Sequence, residues 1–508
     1  MIVQILLDKP HAHFTNLDII SGRVLLRISS TSSVSAVVVK LEGESRTRLI
    51  APSRPDRQDR QRPVLEVHKI LYKVQIVFPP SQLQQGNWQN SSFTLGVGQY
   101  EYPFQFKLPF NNACSPANSL ATNLNFTGLA MEVAKTPTHH VKQTLPPSLS
   151  GYPGEAEIGY YVKVTVNRPQ FFKENPRAWA NFTFLPIEPP KPPRADGEAY
   201  ARRQHQFLEN IPGEPLRKKS IFDAMRKSSV PTATIDSEAP KPPPRFVVDA
   251  RLPNPAILTC NKDIPLRVLV KNMSERSKQV YLQMLQIELI GYTKVRAHEI
   301  QRMESNSWII ISLSNMNIPL GAPTDPVGTE VSVNQEYWSG RTLPNSVAPT
   351  FETCNISRFY ELEVRVGLGY GSYEHGRDQL VVLPLRLPVK VYSGIEPPAA
   401  LLQAMASGGT LQPGLGQPVS SLQPEPYSIL PHTPIEPSVS SANQFPPQQG
   451  TQLPPQAEPG YEEAPPSYED AIGQDLPPID GYRGEYQPPP VPEGAPRFSG
   501  DEKRRPPG

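Results

Sequence analysis

Hydrophobic and polar residues alternate with a period of two through most of the first 395 residues. That spacing puts successive side chains on opposite faces of a strand. In Tyr161–Asn167, Val162, Val164 and Val166 face one way and Tyr161, Lys163, Thr165 and Asn167 the other. In Glu361–Leu368, Leu362, Val364, Val366 and Leu368 alternate with Glu361, Glu363, Arg365 and Gly367. The same reading places strands at Val3–Leu7, Gly22–Ile28, Ala36–Leu41, Leu71–Phe78, Tyr102–Leu108, Leu266–Val270, Leu282–Ile290, Ser307–Leu313 and Gln379–Val391. No long helical stripe interrupts them. Many short, half-buried strands predict an all-β body of sandwiches packed sheet on sheet.

The pattern also repeats. Arg23-Val24-Leu25 is echoed by Arg267-Val268-Leu269, and Val39-Lys40-Leu41-Glu42-Gly43 by Ile287-Glu288-Leu289-Ile290-Gly291. Tyr160 with its valine strand is echoed by Tyr360 with Leu362, Val364 and Val366, in the same order. Two sandwiches of one design are therefore expected, at residues 1–185 and 246–395. Between them, residues 186–245 read as a proline-flanked basic linker, opened by Pro189-Pro190-Lys191-Pro192-Pro193 and closed by Lys241-Pro242-Pro243-Pro244. Proline runs favour extended, solvated backbone. Ser220 and Ser229, each three residues after an arginine (Arg217 and Arg226), match the pattern of basophilic kinase sites.

Composition separates the last 113 residues from the rest. Of the 62 prolines, 25 fall in residues 396–508, and apolar residues make up only 38% of the whole chain. A segment so poor in branched apolar residues cannot offset its chain entropy, so a disordered tail is expected. The tail holds 5 Lys and Arg against 14 Asp and Glu, a net −9; with the whole chain at +2, residues 1–395 carry +11. A basic body suits anionic partners such as acidic cytosolic peptides or membrane headgroups.

Several function classes are disfavoured. Cys114, Cys260 and Cys354 are an odd, sparse set with no close pairs, which argues against a disulfide framework and against a zinc site. His11 and His13 near Asp8 read as a loop pair without a further ligand cluster, and His139-His140, in a polar loop, as solvent-exposed. Phosphate-binding glycine loops and nucleophile elbows are missing from the sequence, so no cofactor, metal or catalytic residue is expected. Basic residues are not interleaved with aromatics, which argues against nucleic-acid binding. Met1–Leu7 meets Asp8 and Lys9 too soon for a signal-peptide core, and no apolar run is long enough to span a bilayer. A soluble, intracellular protein is expected.

The tail carries the sharpest chemical signal, Pro465-Pro466-Ser467-Tyr468. WW domains grip such extended proline peptides in an aromatic groove. Pro465 and Pro466 stack there with φ already set, and Tyr468 fills a second pocket, while Ser467 is a tolerant spacer. Pro424, Pro426 and Tyr427 form an auxiliary candidate whose prolines are not adjacent. Such a second site would act through effective concentration.

The strand order, the linker and one further peptide resemble the arrestin family. Gly98-Gln99-Tyr100-Glu101-Tyr102-Pro103-Phe104-Gln105-Phe106-Lys107-Leu108-Pro109 looks like the family's glycine, aromatic, Pro-Phe, aromatic, Leu-Pro strand. Phe104, Phe106 and Leu108 point into a core, and Pro103 and Pro109 are expected to delimit the strand. Leu383–Val391 is similar to the end of the family's carboxy-terminal domain. With its PPxY tail the chain most resembles an α-arrestin of the fungal trafficking-adaptor type. The resemblance implies tandem arrestin-like, immunoglobulin-type β-sandwiches. It also implies recruitment of a HECT-type ubiquitin ligase, through its WW domains, to cytosolic tails of plasma-membrane transporters or receptors. Ubiquitylation, endocytosis and vacuolar or lysosomal sorting follow. Ubiquitin acceptors in such a protein would include Lys262, Lys271 and Lys278, near the start of the second sandwich. An arrestin-like signalling scaffold, for example in ambient-pH sensing, is the alternative, and a retromer-like coat subunit a third. The buried charged cluster by which visual-type arrestins sense phosphate has no recognisable counterpart at this level.

Overall fold

The protein is described by a computed structural model that covers residues 1–50, 63–83, 92–114, 124–125, 132–133, 137–152, 155–169, 174–208, 243–276, 278–344, 346–371, 379–399, 401–403, 473–479 and 486. Two β-sandwiches follow one another along the chain. In the first, a three-stranded sheet runs Ile2–Leu7, Ile19–Ile28, Gly98–Lys107. The sheet packed on it runs His13–Phe14, Arg177–Phe184, Ala156–Asn167, Ala36–Ile50, Pro63–Phe78. In the second sandwich one sheet runs Glu198–Gln206, Arg245–Pro253, Arg267–Asn272, Glu330–Ser332. The other runs Ile257–Thr259, Gln379–Tyr392, Ile356–Tyr370, Val280–Ala297, Ile300–Pro319.

The large sheets share one topology. Each begins with a two- or three-residue parallel edge strand, paired with the strand next to it, and continues antiparallel in the same connection order. The sequence repeat lands on equivalent places. Gly43 lies opposite Tyr160 and Gly291 opposite Tyr360. A Cβ on Gly43 would fall 2.7 Å from the Tyr160 ring, and one on Gly291 2.8 Å from the Tyr360 ring. In both sandwiches the tyrosine lies across a glycine to reach the core, an aromatic covering of a cross-strand gap. Its hydroxyl then donates to a carbonyl upstream, Pro146 for Tyr160 and Ala348 for Tyr360.

The alternation read from sequence becomes burial. Val162, Val164 and Val166 are fully buried in the first core, and Leu362, Val364, Val366 and Leu368 in the second. Phe104, Phe106 and Leu108 are buried as expected. Pro103, however, does not delimit its strand: it lies inside Gly98–Lys107, opposite Arg23. That strand is the outer one of its sheet, where a missing N–H costs no ladder bond.

A second difference concerns the linker. Glu198–Gln206, assigned to it by polarity, pairs along its whole length with Arg245–Pro253 as an outer strand of the second sandwich. Phe207 follows it into the core, stacked 5.2 Å from Tyr370. Arg202 donates to both oxygens of the buried Asp249, at 2.7 and 2.8 Å, and Arg251 bonds the same carboxylate. Those arginines, with the bonds of Asp249 led by Arg202, hold the Asp249 carboxyl below the usual range. Charged residues on an outer strand keep it from pairing with other chains, so its hydropathy does not advertise it.

Candidate functional site

Most of the sequence-predicted site residues fall outside the described residues: Pro465, Pro466 and Tyr468, Pro424, Pro426 and Tyr427, and Ser220 and Ser229. The tail just beyond the PPxY peptide is described, and it is not free of the body. Tyr486 is buried, and its hydroxyl donates to the Ser148 carbonyl at 2.7 Å. Around it gather Leu17, Phe110, Leu185, Ile187 and Ile395, with Leu476 and Ile479 packed alongside. Lys107 donates to the carbonyls of Gln474, at 2.8 Å, and Leu476. Burial lowers the Lys107 pKa, partly opposed by the charge of Asp475. Gly473 sits so close to the body that a Cβ there would fall 2.8 Å from Leu17. The expectation of a wholly disordered tail is thus corrected at 473–479 and 486. Leucine, isoleucine and tyrosine spaced through a proline-rich stretch anchor it to an apolar patch to which both halves of the chain contribute.

Replacing Tyr486 by alanine is expected to release this segment. Hydrogen exchange should rise at residues 473–479 and around Leu17, with the sandwich strands unchanged. Equal protection in variant and wild type would mean that Tyr486 does not anchor the tail.

The two sandwiches meet along a buried polar seam. Val295, Ala297 and Ile356 of the second half are part of the first sandwich's core. Ser45 donates to Asn355 Oδ1 at 2.6 Å, and Asn355 returns bonds to the Ser45 carbonyl and Thr47. Arg296 donates to Glu66 Oε1 at 2.8 Å. Burial opposes ionisation of Glu66, but bonds from His68, the His298 amide and Arg296 outweigh it and hold its pKa low. Arg358, 2% exposed, is held by Tyr360, Tyr152, Thr293 and Asn306 and lies over the rings of Trp308 and Tyr360. Tyr152 belongs to the first half, so this network also crosses the seam. A buried charged cluster between the halves therefore exists, assembled from residues that sequence order does not bring together.

The seam also corrects the reading of the histidines and cysteines. His140 is half-buried, not solvent-exposed, while His139 is exposed. His140, the buried His68, Cys114 and Cys354 bring four ligand atoms within 4.8 Å of one another. Both cysteines are free thiols, their sulfurs 3.4 Å apart. The bond with Cys114, aided by His68 and opposed by burial, draws the Cys354 thiol below its ordinary value, while the same bond and burial push Cys114 up. His68 is raised: burial works against its charge, but bonds with Cys354 and Glu66 prevail. His11 and His13 take no part in this group. Four donors from four distant segments show no motif spacing, and only the fold assembles them.

On the outer face of the large first-sandwich sheet, Lys163 lies opposite Lys40 and across from Trp179. The Lys163 ammonium stands 5.7 Å from the Trp179 ring, and Lys40 and Lys69 lie over Tyr72. Burial, with the positive charges of Arg177, Lys69 and Lys40 partly offset by Glu42, lowers the Lys163 pKa. Of the candidate ubiquitin acceptors, Lys262 and Lys278 are exposed, and Lys271 is half-buried in a central strand between Val247 and Glu330.

Tandem sandwiches with this topology fit an arrestin-type body. The arrestin (or S-antigen) N-terminal domain model matches residues 3–128. An arrestin-related trafficking adapter 10 from Lachancea thermotolerans is 27% identical over 124 residues, which cover 22% of this chain and 28% of that protein. The chain thus matches little more than a quarter of that relative's length. Over its N-terminal stretch the chain is thus similar to the arrestin N-terminal domain, and in part to an arrestin-related trafficking adapter. Among the described residues no helix is long and apolar enough to cross a membrane.

Proposed function

We propose that this chain is an adaptor that recruits a WW-domain HECT-type ubiquitin ligase to plasma-membrane transporters or receptors. It promotes their ubiquitylation, endocytosis and vacuolar or lysosomal sorting, and works at the cytoplasmic face of plasma membrane and endosomes without catalysis of its own. The observation that carries this reading is the PPxY peptide on an arrestin-type body. Tyr468 stands five residues before Gly473, where the tail meets the first sandwich. Five residues span at most about 17 Å, so a ligase bound at Tyr468 is held close to the body and to whatever the body carries.

Cargo is assigned to the cationic, aromatic face formed by Lys40, Lys163 and Trp179. An acidic cytosolic peptide finds both charge and ring surface there. Lys262 and Lys278, exposed on the second sandwich, are the favoured sites for ubiquitin on the adaptor itself. Deleting the chain from cells is expected to leave at least one transporter at the surface with fewer ubiquitin-modified lysines. Normal turnover of surface transporters together with failed growth at alkaline pH would instead favour a signalling scaffold.

A further inference from the structure

We propose that His68, Cys114, His140 and Cys354 form a structural zinc site that clamps the two sandwiches together. The Cys114 sulfur is 3.4 Å from His68 Nδ1, 3.3 Å from His140 Nδ1 and 3.4 Å from the Cys354 sulfur. A tetrahedral zinc ion, with bonds of about 2.3 Å to sulfur and 2.0–2.1 Å to nitrogen, sets its ligand atoms roughly 3.3–3.8 Å apart. The three distances from the Cys114 sulfur already have that size, and all four ligand atoms lie within 4.8 Å of one another, so small side-chain shifts close the site.

The surroundings of the four side chains are those a zinc site needs. Both rings turn Nδ1 inward and engage Nε2 elsewhere. His68 Nε2 meets Glu66 Oε1 at 2.7 Å, and His140 Nε2 meets the Pro137 carbonyl at 3.2 Å. A ring that donates from Nε2 keeps its Nδ1 lone pair free for a metal, and a carboxylate or carbonyl behind the ring fixes that tautomer. The Val141 amide donates to the Cys354 sulfur at 3.1 Å, a bond that stabilises a thiolate. His68, Cys114 and Cys354 are all buried. Two thiolates balance the charge of a zinc ion, so the unit is neutral overall and the cost of burying it is reduced. Two sulfurs and two imidazoles suit zinc by softness and geometry. Four protein ligands leave no open position, so the site holds structure and does not activate water.

Its placement gives the clamp its meaning. His68, Cys114 and His140 come from the first half of the chain, and Cys354 from the second. The ion would sit beside the Glu66–Arg296 pair, which also crosses the seam, and would fix how the halves are joined. Binding forms two zinc–sulfur and two zinc–nitrogen bonds; any proton still held by a ligating sulfur or ring nitrogen goes to solvent, with no change of oxidation state.

Elemental analysis of the purified full-length chain, kept reduced, tests the site. About one zinc per chain is expected, as a closed four-ligand site holds a single ion. Exchange with cobalt should give a thiolate-to-metal charge-transfer band and the intense visible bands of a tetrahedral ion. Cys114→Ser and Cys354→Ser should lose the metal, whereas Cys260→Ser, at the third buried cysteine, should keep it. If the serine variants fail to fold, the cobalt spectrum of the wild-type chain decides. A folded wild-type chain with no zinc and no charge-transfer band would overturn the proposal. So would a Cys114–Cys354 disulfide in the protein as isolated, or zinc retained by a folded Cys114→Ser/Cys354→Ser double variant.

Discussion

Replacing Tyr468 by alanine is expected to abolish co-precipitation of a WW-domain ligase while both sandwiches stay folded. The peptide offers three groups to such a partner. Pro465 and Pro466 supply rings whose φ is fixed in advance, so little entropy is lost on docking. Tyr468 supplies a large ring for the second pocket and a hydroxyl that can remain hydrogen-bonded. Removing a buried aromatic anchor costs at least about 2 kcal/mol, roughly thirtyfold in Kd. For a short peptide of modest affinity that loss empties the site at cellular concentrations. The Pro424, Pro426 and Tyr427 peptide lacks adjacent prolines and is not expected to compensate. Titration of purified wild-type and variant chains with a WW domain gives the ratio directly. Circular dichroism should be the same for both, because Tyr468 lies well beyond the last described strand of the second sandwich, Gln379–Tyr392. Undiminished binding would remove the basis of the proposed function.

The largest expected loss of stability follows from Arg358→Ala. The guanidinium bonds Tyr152, Thr293, Tyr360 and Asn306 and fills the space between Trp308 and Tyr360. Truncation leaves a cavity and deprives three hydroxyls and an amide oxygen of their shared donor. A cavity of this kind and unsatisfied buried groups together cost on the order of 3 kcal/mol. Arg358→Met, which keeps the stem without the charge, should recover the packing share and not the hydrogen bonds. Urea unfolding followed by tryptophan fluorescence checks both variants, since Trp308 lies against the guanidinium and reports its loss. A midpoint equal to wild type in Arg358→Ala would show that the network does not support the fold.

What the sequence reveals and conceals follows from range. Strand and core positions were legible because alternation is local: Val162, Val164 and Val166 announce their own burial. The repeat was legible because Gly43–Tyr160 and Gly291–Tyr360 solve the same packing problem twice. Glu198–Gln206 was missed because an outer strand carries charge on purpose. Pro103 was misplaced because proline ends strands only where its N–H is needed. The PPxY peptide is legible because it is a linear ligand whose chemistry needs no fold. The seam is the opposite case. Glu66 and Arg296 lie 230 residues apart, and Cys114 and Cys354 lie 240 apart. Each looks ordinary in its own neighbourhood, and only the docking of one sandwich on the other makes them partners. The tail anchor was hidden for a related reason: Leu476, Ile479 and Tyr486 are too sparse to form a core and serve instead to complete one.

The tail and the body are proposed to act as the two ends of a bridge between a ligase and a membrane protein. This bridging is tested most directly by quantifying surface proteins and their ubiquitin-remnant peptides in cells that carry the wild-type chain, the Tyr468→Ala chain or none. The account predicts that the same transporter or receptor accumulates at the surface, with fewer modified lysines, in both the deletion and the Tyr468→Ala cells. A surface proteome unchanged by deletion, or one fully restored by the Tyr468→Ala chain, would contradict it.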